Sequence, residues 1–383
     1  TMATARNVAL GGNAGARDVA RKVQPRAGAL GLSGGGTVTM SGTNTHTGGT
    51  NVTGGTLQIA ADRNLGAAGG GLGLDGGRLA TTGTMTTARD VALGGNGGVV
   101  AASGGTTLNL TGNVTGNGPL GLSGPGDVVL AGYNAITGMA TVTNGRLVVD
   151  GILRSAGTSV ARSGTIAGSG TITGSLTNHG TIEPGNSPGT IRVAGDVTLT
   201  GTSVLRSEID GTGFDPAGGA GSYDRIVVLG EDATFTAGGT IDPVLRGITG
   251  PATNRFTPGI GDTFRIVVTQ NDAGIAGAFS ALRTPEAGLP SGTRFDVLYG
   301  DAWIDLVLTP VSFASHIRHF ENANVAHVGD LIFNRRFPYI DPASGGNLIN
   351  WAGVMKKIRK HYGKNTIYIF GHAADDYPVF GTA

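Results

Sequence analysis

Between Ser163 and Thr200 the stretch SGTIAGSGTITGSLTNHGTIEPGNSPGTIRVAGDVTLT sets four Thr-Ile pairs between glycines: Thr165-Ile166, Thr171-Ile172, Thr181-Ile182 and Thr190-Ile191. Each pair is too short for a helix and too regular for a loop. A strand of a few residues that buries one β-branched side chain is unstable alone, so it needs similar strands stacked above and below it. The spacing therefore predicts a solenoid, an all-β parallel β-helix.

An internal duplication supports the same architecture upstream. Thr1–Asn13 returns as Thr84–Asn96, at an offset of 83, while Leu30–Gly34 returns as Leu120–Gly124 and Asn51–Leu57 aligns with Thr141–Leu147, both at an offset of 90. The slip of seven residues marks an insertion in a loop. Each copy holds short apolar pulses of period two (Val8–Leu10, Leu30–Leu32, Val38–Met40, Leu57–Ile59), the pattern of strands on a half-buried surface. Steps such as Asn144-Gly145 supply the positive φ that tight corners need. Coils of roughly 20 to 25 residues lie within the span of known structural repeats, so the array is expected to hold on the order of a dozen. Asp18–Ala27, with its charges and Pro25, interrupts the pattern and reads as a projecting loop, with a short helix possible up to Val23.

Composition narrows the function classes. Gly makes up 71 of 383 residues and Pro only 15, without a Gly-X-Y period, which excludes a collagen helix and a Pro-rich linker. A formal charge of +1 argues against broad attraction to nucleic acid or anionic membrane. There is no cysteine, which is compatible with an extracellular chain and suits one that crosses membranes unfolded. No run of 18 apolar residues exists to span a membrane as a helix. The Thr1-Met2 start has neither a basic nor an apolar leader region, so a secreted protein would here be represented by a mature or excised piece.

Three segments are expected. Residues 1–205 carry the β-helix repeats. From Gly201 the strands lengthen and gain aromatic residues (Tyr223–Val228, Thr263–Val268, Phe295–Tyr299, Trp303–Leu308), as expected of a closing β cap over 206–310, from which Gly211–Gly221 would project as a loop. Residues 311–383 differ in kind: positions 312–383 hold five of the seven histidines but seven of the 71 glycines. Leu348, Trp351, Ala352, Met355, Ile358 and Tyr362 recur at helical spacing, and Thr366–Phe370 reads as a buried strand delivering His372, an α/β pattern.

Few motifs carry chemistry. Gly185-Asn-Ser187-Pro-Gly189 matches the G-x-S-x-G elbow, but a β-type pulse follows it where the elbow needs a helix, so a coil corner is expected and no catalytic residue is assigned. Gly71–Gly76 matches a dinucleotide fingerprint by letters alone. The basic run Lys356, Lys357, Arg359 and Lys360 reads as the solvated face of the tail helix. Asp330 and His372, each expected at a strand end, are the candidate metal ligands. Two ligands do not make a hydrolytic zinc site, which needs at least three and an open position, so no cofactor is assigned unless the tail site is completed.

Residues 1–310 resemble the passenger region of a bacterial autotransporter. Ser41–Leu57 is similar to the short strand repeat of those passengers, Asn178–Thr190 matches a second recognisable segment, and Tyr223-Asp-Arg-Ile-Val-Val228 resembles the start of the autochaperone junction. The resemblance implies a right-handed parallel β-helix at the cell surface or released outside, acting as a structural or adhesive module on an unknown surface ligand, with no nucleic acid partner. Association of copies through β-helix sides or ends is a further option. The family's outer-membrane barrel is not found in this sequence. Ala326–Asp341, the Trp351 helix and Ile369–His372 instead resemble the end of a metallo-β-lactamase-fold hydrolase, in which Asp330 would match the bridging carboxylate and His372 the last histidine ligand. That family's H-x-H-x-D-H motif is missing. The alternative function is therefore a zinc hydrolase completed by a partner chain, and a natural fusion, a chimera or a designed sequence would share these features.

Overall fold

The computed structural model describes residues 8–9, 17–18, 28–213, 215, 219–246 and 253–311. In the tail it describes 318–320, 325–334, 356, 358, 360, 367–373 and 380–382. The regular structure of the described residues is nearly all β, with strands making up 52%, and it contains a parallel β-solenoid of about eight turns. They group into two compact units, one of residues 1–182 and 191–195, the other of 183–190 and 196–383.

Within the first unit three faces build up by parallel pairing. The first face stacks Leu30–Ser33, Thr50–Val52, Leu72–Leu74, Val91–Leu93, Val114–Gly116, Tyr133–Ile136, Ile152–Arg154 and Thr171–Thr173 in order. Arg192, Val193 and Ala194 then pair with Thr171, Ile172 and Thr173. The second face stacks Thr37–Met40, Thr56–Ile59, Gly77–Thr81, Gly98–Ala102 and Leu120–Ser123. The third begins at Met85–Thr87 and continues through Thr107–Leu110 and Asp127–Leu130. The long strands Ala140–Val149 and Thr158–Gly168 turn a corner and serve the second and third faces in succession.

The alternation read from the sequence is what this stacking needs. Ile166, Ile172, Ile182 and Ile191 are all fully buried, while Thr165, Thr171 and Thr181 look outward. On the third face Met85, Leu108, Val128, Leu147 and Ile166 lie in one register column, each buried against the next coil. Burial of each such side chain is worth about 1.5–3 kcal/mol against exposure, so a column works only while every coil supplies its member. Gly145 (φ 73°) turns the corner of Ala140–Val149, where a Cβ would strike the Gly124 carbonyl.

Hydrogen bonds from coil to coil in this unit, such as Ser169 to Asp150, Val114 to Asn134, Asn64 to Gly42 and Thr82 to Ile59, join residues 19, 20, 22 and 23 apart, close to the expected coil length. In the second unit the corresponding bonds span 38 to 41 residues. Long connections there consume the chain, which is why the solenoid has fewer turns than the expected dozen.

The second unit starts with parallel coils. Val197–Leu199 and Phe235–Ala237 pair in parallel, as do Val204–Glu208 and Thr240–Val244, and Arg225–Leu229 and Thr263–Thr269. The direction then reverses: Thr263–Thr269 pairs antiparallel with Trp303–Pro310, which pairs antiparallel with Thr293–Tyr299. Phe264, fully buried, meets Tyr223, Phe256 and Phe295 edge to face at centroid distances of 5.5, 6.1 and 5.9 Å. An antiparallel hairpin with an aromatic core covers strands that another coil would otherwise extend, the role expected of a cap.

The tail joins Val325–Asn334 and Ile367–Ala373 in parallel. Lys356, Ile358 and Lys360 are helical, the lysines exposed and Ile358 buried. At these three positions the helix and its solvated basic face agree with the sequence pattern. The loop read at Asp18–Ala27 lies outside the described residues, except for Asp18 at the end of a short strand.

Candidate binding surface

On the first face of the solenoid the inward positions are apolar or satisfied except for the buried Thr190 hydroxyl, so any chemistry must come from the outward ones. Asn134 is an instance of an inward polar residue fully satisfied: its side chain accepts from Val114 N–H at 3.0 Å and donates to Gly132 and Ile152 carbonyls at 2.9 and 3.1 Å. Its neighbours outward follow two register rows. One row runs Tyr133, Ile152, Thr171, Arg192, the other Ala135, Arg154, Thr173, Ala194. Upstream, the second row continues as Thr115, Ala92, Gly73 and Asn51, all small or uncharged.

The patch where those rows become large is distinct. Tyr133 is 50% and Ile152 40% exposed, side by side on neighbouring strands. Arg154 is exposed and Arg192 half-buried, and neither enters an ion pair among the described residues. The eight outward positions include no acidic residue. Asp150 stands at the preceding corner, where its carboxylate accepts Ser169 N–H at 3.3 Å. Tyr133–Ile136, Ile152–Arg154 and Thr171–Thr173 are each hydrogen-bonded on both sides, and Thr190–Ala194 pairs with Thr171–Thr173, so over those first three strands the surface offers side chains and no free backbone edge. None of these residues was singled out in the sequence. Their steps from coil to coil could have revealed them only once the strand register was known.

Residues of two of the segments that resemble passenger motifs, Gly189 of Asn178–Thr190 and Asp224 of Tyr223–Val228, meet inside the second unit. At the corner between Thr181–Pro184 and Thr190–Ala194, Gly189 N–H donates to Asp224 Oδ1 at 2.7 Å, and Glu208 N–H donates to Oδ2 at 2.9 Å. Arg225 N–H returns a bond to the Gly189 carbonyl at 2.9 Å. Asp224 is 1% exposed. Burial, reinforced by the charge of Glu208, pushes its carboxyl well above the ordinary range despite the two backbone donors. Ser187 of the G-x-S-x-G match has φ 66°, but a strand follows it and its hydroxyl is buried without a hydrogen bond. The corner is architectural.

Gly211–Gly221, read as a projecting loop, is clamped at its base. Asp210, 3% exposed, accepts from Gly221 N–H at 3.0 Å, from Thr253 N–H and hydroxyl at 2.7 and 2.6 Å, and from Asn254 N–H at 2.9 Å. Burial raises the pKa of this carboxyl, but the bonds from Thr253, Gly221 and Asn254 outweigh it and hold the group below its usual range.

Asp330 and His372 fall on the adjoining parallel strands Val325–Asn334 and Ile367–Ala373. Asp330 sits in mid-strand and not at a strand end, because the strand runs on to Asn334. Their side chains lie outside the described residues. Among the described residues no three His, Cys, Asp or Glu side chains are grouped to hold a metal ion. No helix among them is long and apolar enough to cross a membrane.

Residues 32–59 and 122–149 match the profile of the passenger-associated-transport-repeat family. The chain is also similar to the adhesin BmaC autotransporter of Brucella suis biovar 1 (strain 1330), 37% identical over 113 residues, which are 29% of this chain and 3% of that protein. It thus spans a small part of the length of this curated relative. Both matched stretches lie in the first unit: 32–59 covers strands of its first and second faces, and 122–149 includes Tyr133–Ile136 and ends in the corner strand Ala140–Val149.

Proposed function

We propose that this chain is part of an autotransporter passenger, displayed at a bacterial cell surface or released from it, and that it acts as a rigid adhesive module with no catalytic centre of its own. The observation that carries this reading is the placement of both passenger repeats as coils of one hydrogen-bonded solenoid. A solenoid stiffened by parallel ladders holds an extended lateral surface in fixed geometry, which suits repeated weak contacts with a partner. The resemblance to an adhesin supports the same role. The G-x-S-x-G serine at an architectural corner supports the lack of a hydrolytic centre.

Beads coated with the full chain and flowed over host-cell monolayers and matrix-coated plates test the reading. Retention severalfold above albumin-coated beads is the expected result. Parity with albumin on every surface overturns it.

A further inference from the structure

We propose that the patch formed by Tyr133, Ile152, Arg154 and Arg192 binds a linear anionic polysaccharide, one bearing carboxylate or sulfate groups, laid along the solenoid axis. The inference rests on the adhesive reading and names its ligand class.

Three features select this ligand. The patch is cationic in a chain of nearly zero net charge: two arginines with no ion pair among the described residues, and no acid at the eight outward positions of their strands. Arginine's planar fork matches carboxylate and sulfate oxygens in two-pronged hydrogen bonds. Secondly, register fixes their separation. Arg154 pairs with Thr173, and Arg192 with Thr171, so the two arginines stand two strands apart along the axis and two residues apart across it. With strands about 4.8 Å apart and residues about 3.3 Å apart, that is about 12 Å. One extended anionic chain crossing the face can therefore meet both arginines with different groups along its length. Thirdly, Tyr133 beside Ile152 presents an aromatic ring with a polar tip next to an apolar side chain, a platform for the C–H face of a sugar ring with its hydroxyls facing the phenol.

The same geometry disfavours other partners. Pairing of Tyr133–Ile136, Ile152–Arg154 and Thr171–Thr173 on both sides leaves no edge there for an added peptide strand. Two cations are too few for the long phosphate track of a nucleic acid.

The test measures binding of the full chain to immobilised heparin oligosaccharides and to oligogalacturonate, with neutral dextran and poly-glutamate as comparators. The variants are Arg154→Gln combined with Arg192→Gln, Tyr133→Ala, and Arg162→Gln, the last an exposed arginine at a different corner. Circular dichroism checks that each variant keeps the wild-type strand signal. The expected result is that heparin or oligogalacturonate binds while dextran does not, which distinguishes a sulfate from a uronate source. The double variant should lose roughly a hundredfold, about tenfold for each charge-assisted contact. The slope of log affinity against log salt should fall by about two. Tyr133→Ala should weaken binding without changing that slope, and Arg162→Gln should leave it unchanged.

Absence of wild-type binding to both anionic glycans overturns the proposal, as does full binding by the double variant. So does poly-glutamate binding that matches the glycans and ignores Tyr133→Ala, which would point to an acidic peptide. Bead adhesion that persists in the double variant would overturn the glycan and leave the adhesive reading standing, whereas loss of adhesion by wild type itself would remove both.

Discussion

Arg89 is 4% exposed, yet its guanidinium is fully engaged. It donates to both carboxylate oxygens of Asp62 at 2.7 and 3.1 Å and to the carbonyls of Ala67, Gly70 and Gly66 at 2.6, 2.6 and 2.8 Å. The 3-10 turn Asp62–Leu65 and the segment after it occupy the third side of a coil that has no strand there, so these carbonyls lack ladder partners and the arginine supplies the missing donors. Asp62 responds accordingly: burial raises its pKa, but hydrogen bonds from Arg89 and Thr87 outweigh it and lower the group overall. Arg89→Leu keeps the bulk and removes every donor. Because the Asp62 side chain is 30% exposed, the expected cost is that of leaving buried carbonyls without donors, about 1–3 kcal/mol, measured as a shift in the denaturant midpoint at unchanged slope. A loss under 1 kcal/mol would show that the carbonyls find water instead. Nothing in the sequence marked this residue, because Thr-Ala-Arg is legible as part of a duplication and silent about which carbonyls the arginine will reach.

The strands themselves were legible because two-residue alternation and intervening glycines survive in the sequence wherever one face must be buried. Which face each strand joins was not. Leu30–Ser33 and Leu120–Ser123 have the same sequence, LGLS, but the first lies on the first face and the second on the second. Thr37–Met40 and its counterpart Asp127–Leu130 are displaced in the same sense, from second face to third. All faces ask for the same inward aliphatic alternation, so a segment carries no face label, and a change in the turns between strands rotates the repeat by one side. The exposed patch was illegible for the same reason: Tyr133 and Arg192 become neighbours through register, which the chain's local pattern does not encode. Equivalence of coils leads to a prediction. Deleting Val91–Asn113 removes one coil, since Asn113 N–H bonds Asp90 across 23 residues, and it brings Leu79 to Leu122 and Met85 to Val128. The shortened chain should fold, with its strand circular dichroism per residue retained and its melting midpoint lowered by only about a few degrees. An aggregated or unfolded product would mean that the coils are individually matched and not interchangeable.

At the scale of the molecule, each unit buries a titratable group whose pKa shift has the opposite sign. In the first unit His46, 2% exposed and bonded through Nε2 to Thr50 Oγ1 at 3.0 Å, is pushed below 6.5 by burial and then by the charge of Arg89. A depressed folded pKa means that the unfolded chain binds the proton more readily, so this contribution is full above pH 6.5 and is lost as pH falls through the folded value. In the second unit the raised Asp224 carboxyl does the reverse, for the folded chain binds its proton more readily: its contribution is full below pH 3.8 and lost as pH rises through the folded value. The lowered carboxyls Asp62 and Asp210 matter only below pH 3.8. Between pH 7 and 4.5, therefore, acid should loosen the coils around His46 and tighten the corner at Gly189 and Asp224. Peptide-level hydrogen exchange at the two pH values, corrected for intrinsic rates, reads both regions in one sample. Protection should fall over Thr50–Val52 and rise over Arg225–Leu229, and Asp224→Asn should abolish the rise while leaving the fall. A change of the same sign in both regions would mean that a global charge effect dominates these two buried groups.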